Sequence, residues 1–259
     1  AKDQASAIVK LLTDKEYRIR QAAIKALTEL KAKKQTSAIV TLLSNEDPDV
    51  RITAIRALAA LDAKDQANTI VKFLADKEYH IRQASIRALE SLDAKDQAST
   101  IIKLLPNKDS GIREAVIDAL TALNAKDQAG AIVKFLMDKE PDVQAAAIRA
   151  LVSLDAKDQV GAIVTLLSNE DPDVRIRAIN ILVELDAKDQ TSAIVKLLAD
   201  KESDVQVVAT RALVALDAKN KTGATVKLLS NKNPDIRIMA IQMLYRLDAK
   251  DQTSAIGKL

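Results

Sequence analysis

Residues 156–186 read AKDQVGAIVTLLSNEDPDVRIRAINILVELD, and this stretch decides the fold. In its first half, 156–167, Ile163, Val164, Leu166 and Leu167 lie close together, as in a short helix buried on one side. Ser168, Asn169, Glu170, Asp171 and Pro172 then break the pattern. Asp171 before Pro172 reads as a helix N-cap followed by proline at the first helical position, where the missing N–H costs nothing. In the second half, 172–185, Val174, Ala178, Ile179, Ile181, Leu182 and Leu185 fall at spacings of three and four, the mark of an amphipathic helix. No stretch of the chain sustains period-two alternation, so no strands are expected.

This helix–turn–helix unit recurs along the whole chain. Ala-Lys-Asp-Gln starts at Ala1, Ala63, Ala94, Ala125, Ala156, Ala187 and Ala249, with degenerate copies at Ala32 and Ala218. Every step is 31 residues, giving eight units and the start of a ninth in 259 residues. A single hairpin of this size cannot bury its apolar face, but a stack of them can. The expected architecture is all-α: an α-α superhelix spanning 1–259 as a single repeat array, with no second domain and no linker. At helix spacings of about 8–10 Å, eight units would form a curved slab about 70–80 Å long. Asp62, Asp93, Asp155, Asp186, Asp217 and Asp248 stand at the link into the next unit and are expected to cap its first helix.

Composition excludes several classes of protein. The chain is 48% hydrophobic and 29% charged, enough for a sizeable core and unlike a disordered chain. Aromatics make up only 2%, so the core must rest on many small aliphatic contacts. The net charge of +3, from 39 basic and 36 acidic residues, is too balanced to argue for nucleic acid or a membrane surface. No apolar run approaches the roughly 20 residues of a membrane span. The absence of cysteine rules out disulfides, thiolate metal sites and a cysteine nucleophile, and fits a cytoplasmic location. Neither an initiating Met nor a polar capping unit is seen, so the chain reads as a piece of a longer array able to stack end to end on itself.

The box that opens the second helix carries a family resemblance. It reads Asp47-Pro48-Asp49-Val50-Arg51, Asp171-Pro172-Asp173-Val174-Arg175 and Asn233-Pro234-Asp235-Ile236-Arg237, followed by Ala54-Ile55-Arg56-Ala57-Leu58 or a close variant. This resembles the HEAT-like repeats named after phycobilisome lyases, and the artificial repeat scaffolds derived from them. The resemblance implies a right-handed superhelix with the second helices lining its concave surface. It also implies Asp–Arg pairs between neighbouring units. Two departures stand out: Asp, Lys or Asn replaces the family's frequent glycine at the end of the second helix, and Gln144 and Gln206 replace the box arginine. The fourth unit, with Pro106, Ser110, Gly111, Glu114 and Asp118, predicts a looser seam over 106–118, because an early helical glycine costs backbone entropy.

Equivalent residues of stacked repeats form columns. The constant ones, Ile8 to Ile194 and Leu27 to Leu244 in steps of 31, are expected to be core. The columns that vary lie on one face of the second helix. They begin at Arg18, Gln21, Ala22 and Lys25. Toward the N-terminus this face is polar and basic; toward the C-terminus it carries Ile176, Val207, Val208, Ile238 and Met239. These apolar residues either form an interaction patch or pack against the next repeat. The expected partner-contacting set is Tyr17, Arg18, Ile52, Arg56, Tyr79, His80, Arg87, Arg149, Ile176, Arg177, Val207, Val208, Arg211, Ile238, Met239 and Gln242. Rows of lysine such as Lys2, Lys33 and Lys64 lie beside Asp3 and Asp65, and read as a solvated outer face.

No enzyme reading fits the sequence. His80 is the single histidine, five glycines leave little room for active-site loops, and no cluster has metal-ligand spacing. No cofactor is implied. The expectation is a protein-interaction scaffold that is not an enzyme. Alternatives are a nucleic-acid-binding HEAT-like protein, opposed by Asp142, Asp173, Asp204 and Asp235 on the same face, and a bilin-lyase-related protein on family analogy alone. The near-identical repeats suit a designed protein as well as a recently expanded natural array.

Overall fold

The computed structural model describes residues 2–216 and, beyond them, 226, 229–234, 236–242 and 244–245. Among the described residues, seven repeats each pair a short helix with one of thirteen residues. The pairs are α1 (Lys2–Lys10) with α2 (Tyr17–Glu29), α3 (Thr36–Thr41) with α4 (Pro48–Ala60), α5 (Ala67–Val71) with α6 (Tyr79–Ser91), and α7 (Ala98–Ile101) with α8 (Ser110–Ala122). They continue as α9 (Ala129–Ile132) with α10 (Pro141–Ser153), α11 (Val160–Thr165) with α12 (Pro172–Glu184), and α13 (Thr191–Lys196) with α14 (Ser203–Ala215). No strand occurs among the described residues. The first helices are shorter than their periodicity suggests. In α5 the α-helical part passes into 3-10 turns on both sides, Lys64–Gln66 and Lys72–Ala75. Thr69, Ile70 and Val71 are β-branched, which lowers helix propensity over this short run.

The chain divides into two compact units, residues 1–132 with 138–150, and 133–137 with 151–259. In the first, α2 packs on α4, α4 on α6 and α6 on α8; in the second, α12 packs on α14. The constant columns form the core of both, except that Ile8 and Leu244 are only half-buried. Leu27, Leu58, Leu89, Leu120, Leu151, Leu182 and Leu213 are all fully buried, as are Ile39, Ile70, Ile101, Ile132, Ile163 and Ile194. Each such side chain contributes roughly 1.5–3 kcal/mol of apolar burial. Buried hydroxyls are satisfied by the preceding turn: Thr53 donates to the Asp49 carbonyl at 2.7 Å, and Ser85 to that of Ile81 at 2.9 Å.

The links between repeats correct one expectation. Asp62, Asp93, Asp155 and Asp186 do not cap the following helix; the residues at its N-cap make no side-chain capping bond. They close the preceding helix instead, in the left-handed region, with φ between 48° and 52°. The Asp62 N–H donates to the Ala59 carbonyl and the Ala63 N–H to that of Leu58, the pair of bonds that defines a Schellman motif. Lys31 and Asn124 do the same in their units. Asp217 and Asp248 lie outside the described residues.

The turn before each second helix is built around one Asp or Asn. Oδ1 of Asp14, Asn45, Asp76, Asn107, Asp138, Asn169 and Asp200 accepts the backbone N–H two residues on, at 2.8–2.9 Å. Asp and Asn serve equally, because the carbonyl-type oxygen is common to both. The box arginine then staples its own turn: Arg51 Nη1 donates to the carbonyls of Asn45 and Glu46, and Arg113 Nη1 to those of Asn107 and Lys108. Where an Asp follows one repeat later, the same guanidinium crosses the seam. Arg113 bonds Asp138 through Nε at 2.8 Å and Nη2 at 2.7 Å, Arg175 bonds Asp200 at 2.7 Å, and Arg51 lies 3.8 Å from Asp76. Asp138 is pushed up by burial, but the Arg113 bonds and the Glu140 N–H outweigh that and hold its carboxyl below the usual range. Gln144 and Gln206 keep the staple to their own turns, at the Asp138 and Asp200 carbonyls, without an ionic seam. Gln206 instead accepts from Asn231 at 2.7 Å.

The looser seam expected at 106–118 gives way to a different account. Helix α8 has the same thirteen residues as the others, is capped by Asp109 through the Ile112 N–H at 3.1 Å, and buries seven side chains. A Cβ on Gly111 would lie 2.7 Å from Arg82 Nη2, so the missing methyl is the space this guanidinium occupies.

Candidate functional site

Helices α2, α4 and α6 expose the same face of the first unit, and between them lies a depression of about 460 Å3. Six of the residues singled out in the sequence line it: Tyr17, Ile52, Arg56, Tyr79, His80 and Arg87. Sequence reasoning did not single out the other lining residues as contacts, namely Arg20, Asp49, Thr53, Gln83 and Ala84. Tyr17 and Tyr79 occupy the first position of their helices, and each is 55% exposed. Each ring has a buried guanidinium against it: Arg20 lies 5.8 Å from the Tyr17 centroid and Arg82 5.7 Å from that of Tyr79. The His80 ring meets Tyr79 edge-on at 5.5 Å.

Its charges sort by commitment. Asp49 is taken up by Arg20 at 3.3 Å. Arg56 and Arg87 are exposed and have no carboxylate partner among the described residues. Two of their column equivalents stand beside carboxylates: exposed Lys25 is 3.9 Å from Glu29, and Arg149 lies 3.8 Å from Glu114 and 3.7 Å from Asp118; a third, Arg211, is exposed in the second unit. Glu114 is pushed above the usual carboxylate range by burial and by Asp118, and Asp118 by burial, with Arg149 opposing both. The basic depression therefore ends at an acidic edge on α8.

Outside the depression, Arg18 is exposed on α2. In the second unit Ile176, Val207, Val208 and Met239 are half-buried, while Arg211, Ile238 and Gln242 are exposed, Ile238 at 53%. The apolar patch envisaged there is thus reduced mainly to Ile238, since packing covers most of Ile176, Val207, Val208 and Met239. Arg177 is taken up within the chain, with Nε donating to the Leu136 carbonyl at 3.2 Å and Nη2 lying 3.9 Å from Asp171. Four members of its column, Thr53, Ala84, Ala115 and Ala146, are buried, whereas Ala22 is exposed. No group of three or more metal-ligating side chains occurs among the described residues, and no described helix is long and apolar enough to cross a membrane.

Repeated two-helix units with buried Ile and Leu at equivalent positions define a helical repeat scaffold. The sequence profile of HEAT repeats matches residues 5–90 and 129–214, and the chain belongs to that family. Among solved structures, it is similar to YibA of E. coli, at 19% identity over 95% of both chains with a TM-score of 0.50, a likeness of fold. It is also similar to an engineered protein, at 22% identity over 93% of this chain and 77% of that one, with a TM-score of 0.46. The CpcE–CpcF phycocyanin lyase complex of Nostoc sp. aligns at 22% identity over 94% of both chains, with a TM-score of 0.44. No curated protein sequence gives a match.

Proposed function

We propose that this chain is a non-catalytic protein-interaction scaffold that holds its partner on the face of its second helices, centred on the depression between α2, α4 and α6. The observation that carries this reading is the division of labour between columns. The apolar residues that repeat are buried, whereas residues that differ between repeats surround an open depression with two uncommitted guanidinium groups. Rigid exposed aromatics beside arginines are the composition of interface hot spots. Exposed Asp49, Asp142, Asp173 and Asp204, in the column of His80, oppose a nucleic-acid backbone.

The test is site-specific photo-crosslinking in cells, with the crosslinker at position 83 on α6 or at position 34 in the link before α3. Specific adducts from 83 and none from 34 support the reading. Adducts from 34 alone would remove it.

A further inference from the structure

We infer that the occupant of this depression is an extended acidic segment of a partner protein, with carboxylates about three residues apart. The inference rests on the scaffold reading above and adds the chemistry of the partner. Arg56 and Arg87 stand at the same position of adjacent helices, exposed and without a carboxylate partner among the described residues, whereas Arg149 in the same column lies beside Glu114 and Asp118, and Arg211, also exposed, belongs to the second unit and does not line the depression. The only acid lining the depression, Asp49, is engaged by Arg20. The depression thus presents positive charge that the fold has not used, and His80 adds a donor beside it.

Spacing selects the conformation. Packed helices lie about 8–10 Å apart. A polyproline II strand repeats every three residues at about 3.1 Å each, so side chains on one side of it recur at nearly the same interval. Carboxylates at positions i and i+3 of such a strand would each meet one arginine. Tyr17 and Tyr79 stand on the two outer helices with their rings restrained by Arg20 and Arg82, as aromatic platforms for the apolar residues between. The acidic edge formed by Glu114 and Asp118 repels a carboxylate placed one helix further on, so the acidic part of the segment ends at α6.

The probe is a fluorescein-labelled peptide, PPEPPEPPE, followed by anisotropy against the intact chain at low and moderate salt. The controls are PPKPPKPPK, EEEPPPPPP and oligothymidylate. Saturable binding of PPEPPEPPE is expected, with none for the lysine peptide. Arg56→Glu with Arg87→Glu should weaken it at least about tenfold, Tyr79→Ala should weaken it severalfold, and Arg211→Glu should leave it unchanged. All four side chains are exposed, and equal thermal midpoints confirm that the variants remain folded. Equal binding of EEEPPPPPP would remove the spacing argument. Tighter binding of oligothymidylate, lost in the double variant, would replace the peptide with a nucleic acid. If crosslinks from position 83 persist while PPEPPEPPE fails to bind at millimolar concentration, the scaffold stands and this inference falls. If the crosslinks are also absent, both fall.

Discussion

The second helices of the two units share a length, a box and a buried column, yet present different faces. On α4 and α6 the outward columns hold Arg56, Arg87, His80 and Tyr79 around an open depression. On α12 and α14 they hold Ile176, Val207 and Val208, half-buried, and Arg177, bonded to the Leu136 carbonyl. The backbone is indifferent to this change because α-helix geometry fixes only where each column points. The stability of a repeat and the chemistry of its face are therefore set by separate residues, as expected of a quasi-one-dimensional array.

That separation can be broken most forcefully in the core. Leu89→Ala in the first unit and Leu182→Ala in the second should each cost about 4 kcal/mol, because both side chains are fully buried. Chemical denaturation reads this, and a markedly smaller loss at one site would show that the units are not equivalent beneath their faces. The ionic seams come next. Arg113→Gln and Arg175→Gln should each cost about 2 kcal/mol by leaving a buried carboxylate without its partner. Glutamine retains the turn staple, as Gln144 and Gln206 do, so the substitution isolates the bond across the seam. Arg20→Gln should cost less than about 1 kcal/mol, since its partner Asp49 is exposed. Because the folded-state value of Asp138 is depressed, the stability conferred by Arg113 is fully present above the unfolded value near 3.8 and fades as pH falls below it. Arg113→Gln and the parent should therefore converge in acid.

Two smaller effects sharpen the picture. Lys31→Gly should raise stability by about 1 kcal/mol, by placing a residue without Cβ at φ 48°. Glu114→Gln should raise the thermal midpoint by about 1 °C at neutral pH. Its folded-state value is raised, so the charged form is the disfavoured one, and the gain should disappear as pH drops below the usual value of 4.5. A gap that widened in acid would contradict this assignment.

The repeat, its two helices and its buried columns were legible because a 31-residue period superimposes eight imperfect copies of one pattern. The Asp171–Pro172 start was legible as well: Asp171 accepts the Asp173 N–H at 2.9 Å. Asp62 was assigned to the wrong helix because aspartate suits both an N-cap and a left-handed closing residue, one helix apart by function but adjacent in sequence. Lys31 at the equivalent position was the signal, since lysine has no capping oxygen. The third outward column was read as open because alanine sits on either side of a surface, and only packing shows that Ala84, Ala115 and Ala146 lie in a seam. Arg20 carries the box pattern rather than the varying columns, yet Asn45, unlike Asp76, offers no carboxylate to draw it away from the depression.

The alternation of Asp and Asn at 14, 45, 76, 107, 138, 169, 200 and 231 gives the chain a grammar for growth. Excising residues 63–93 would set Arg51 opposite Asn107 and silence an ionic seam. Excising 63–124 would set it opposite Asp138 and leave the sentence grammatical. The shortest excision that keeps the Asp–Asn alternation in step is a pair of hairpins, even though a single hairpin is the visible repeat.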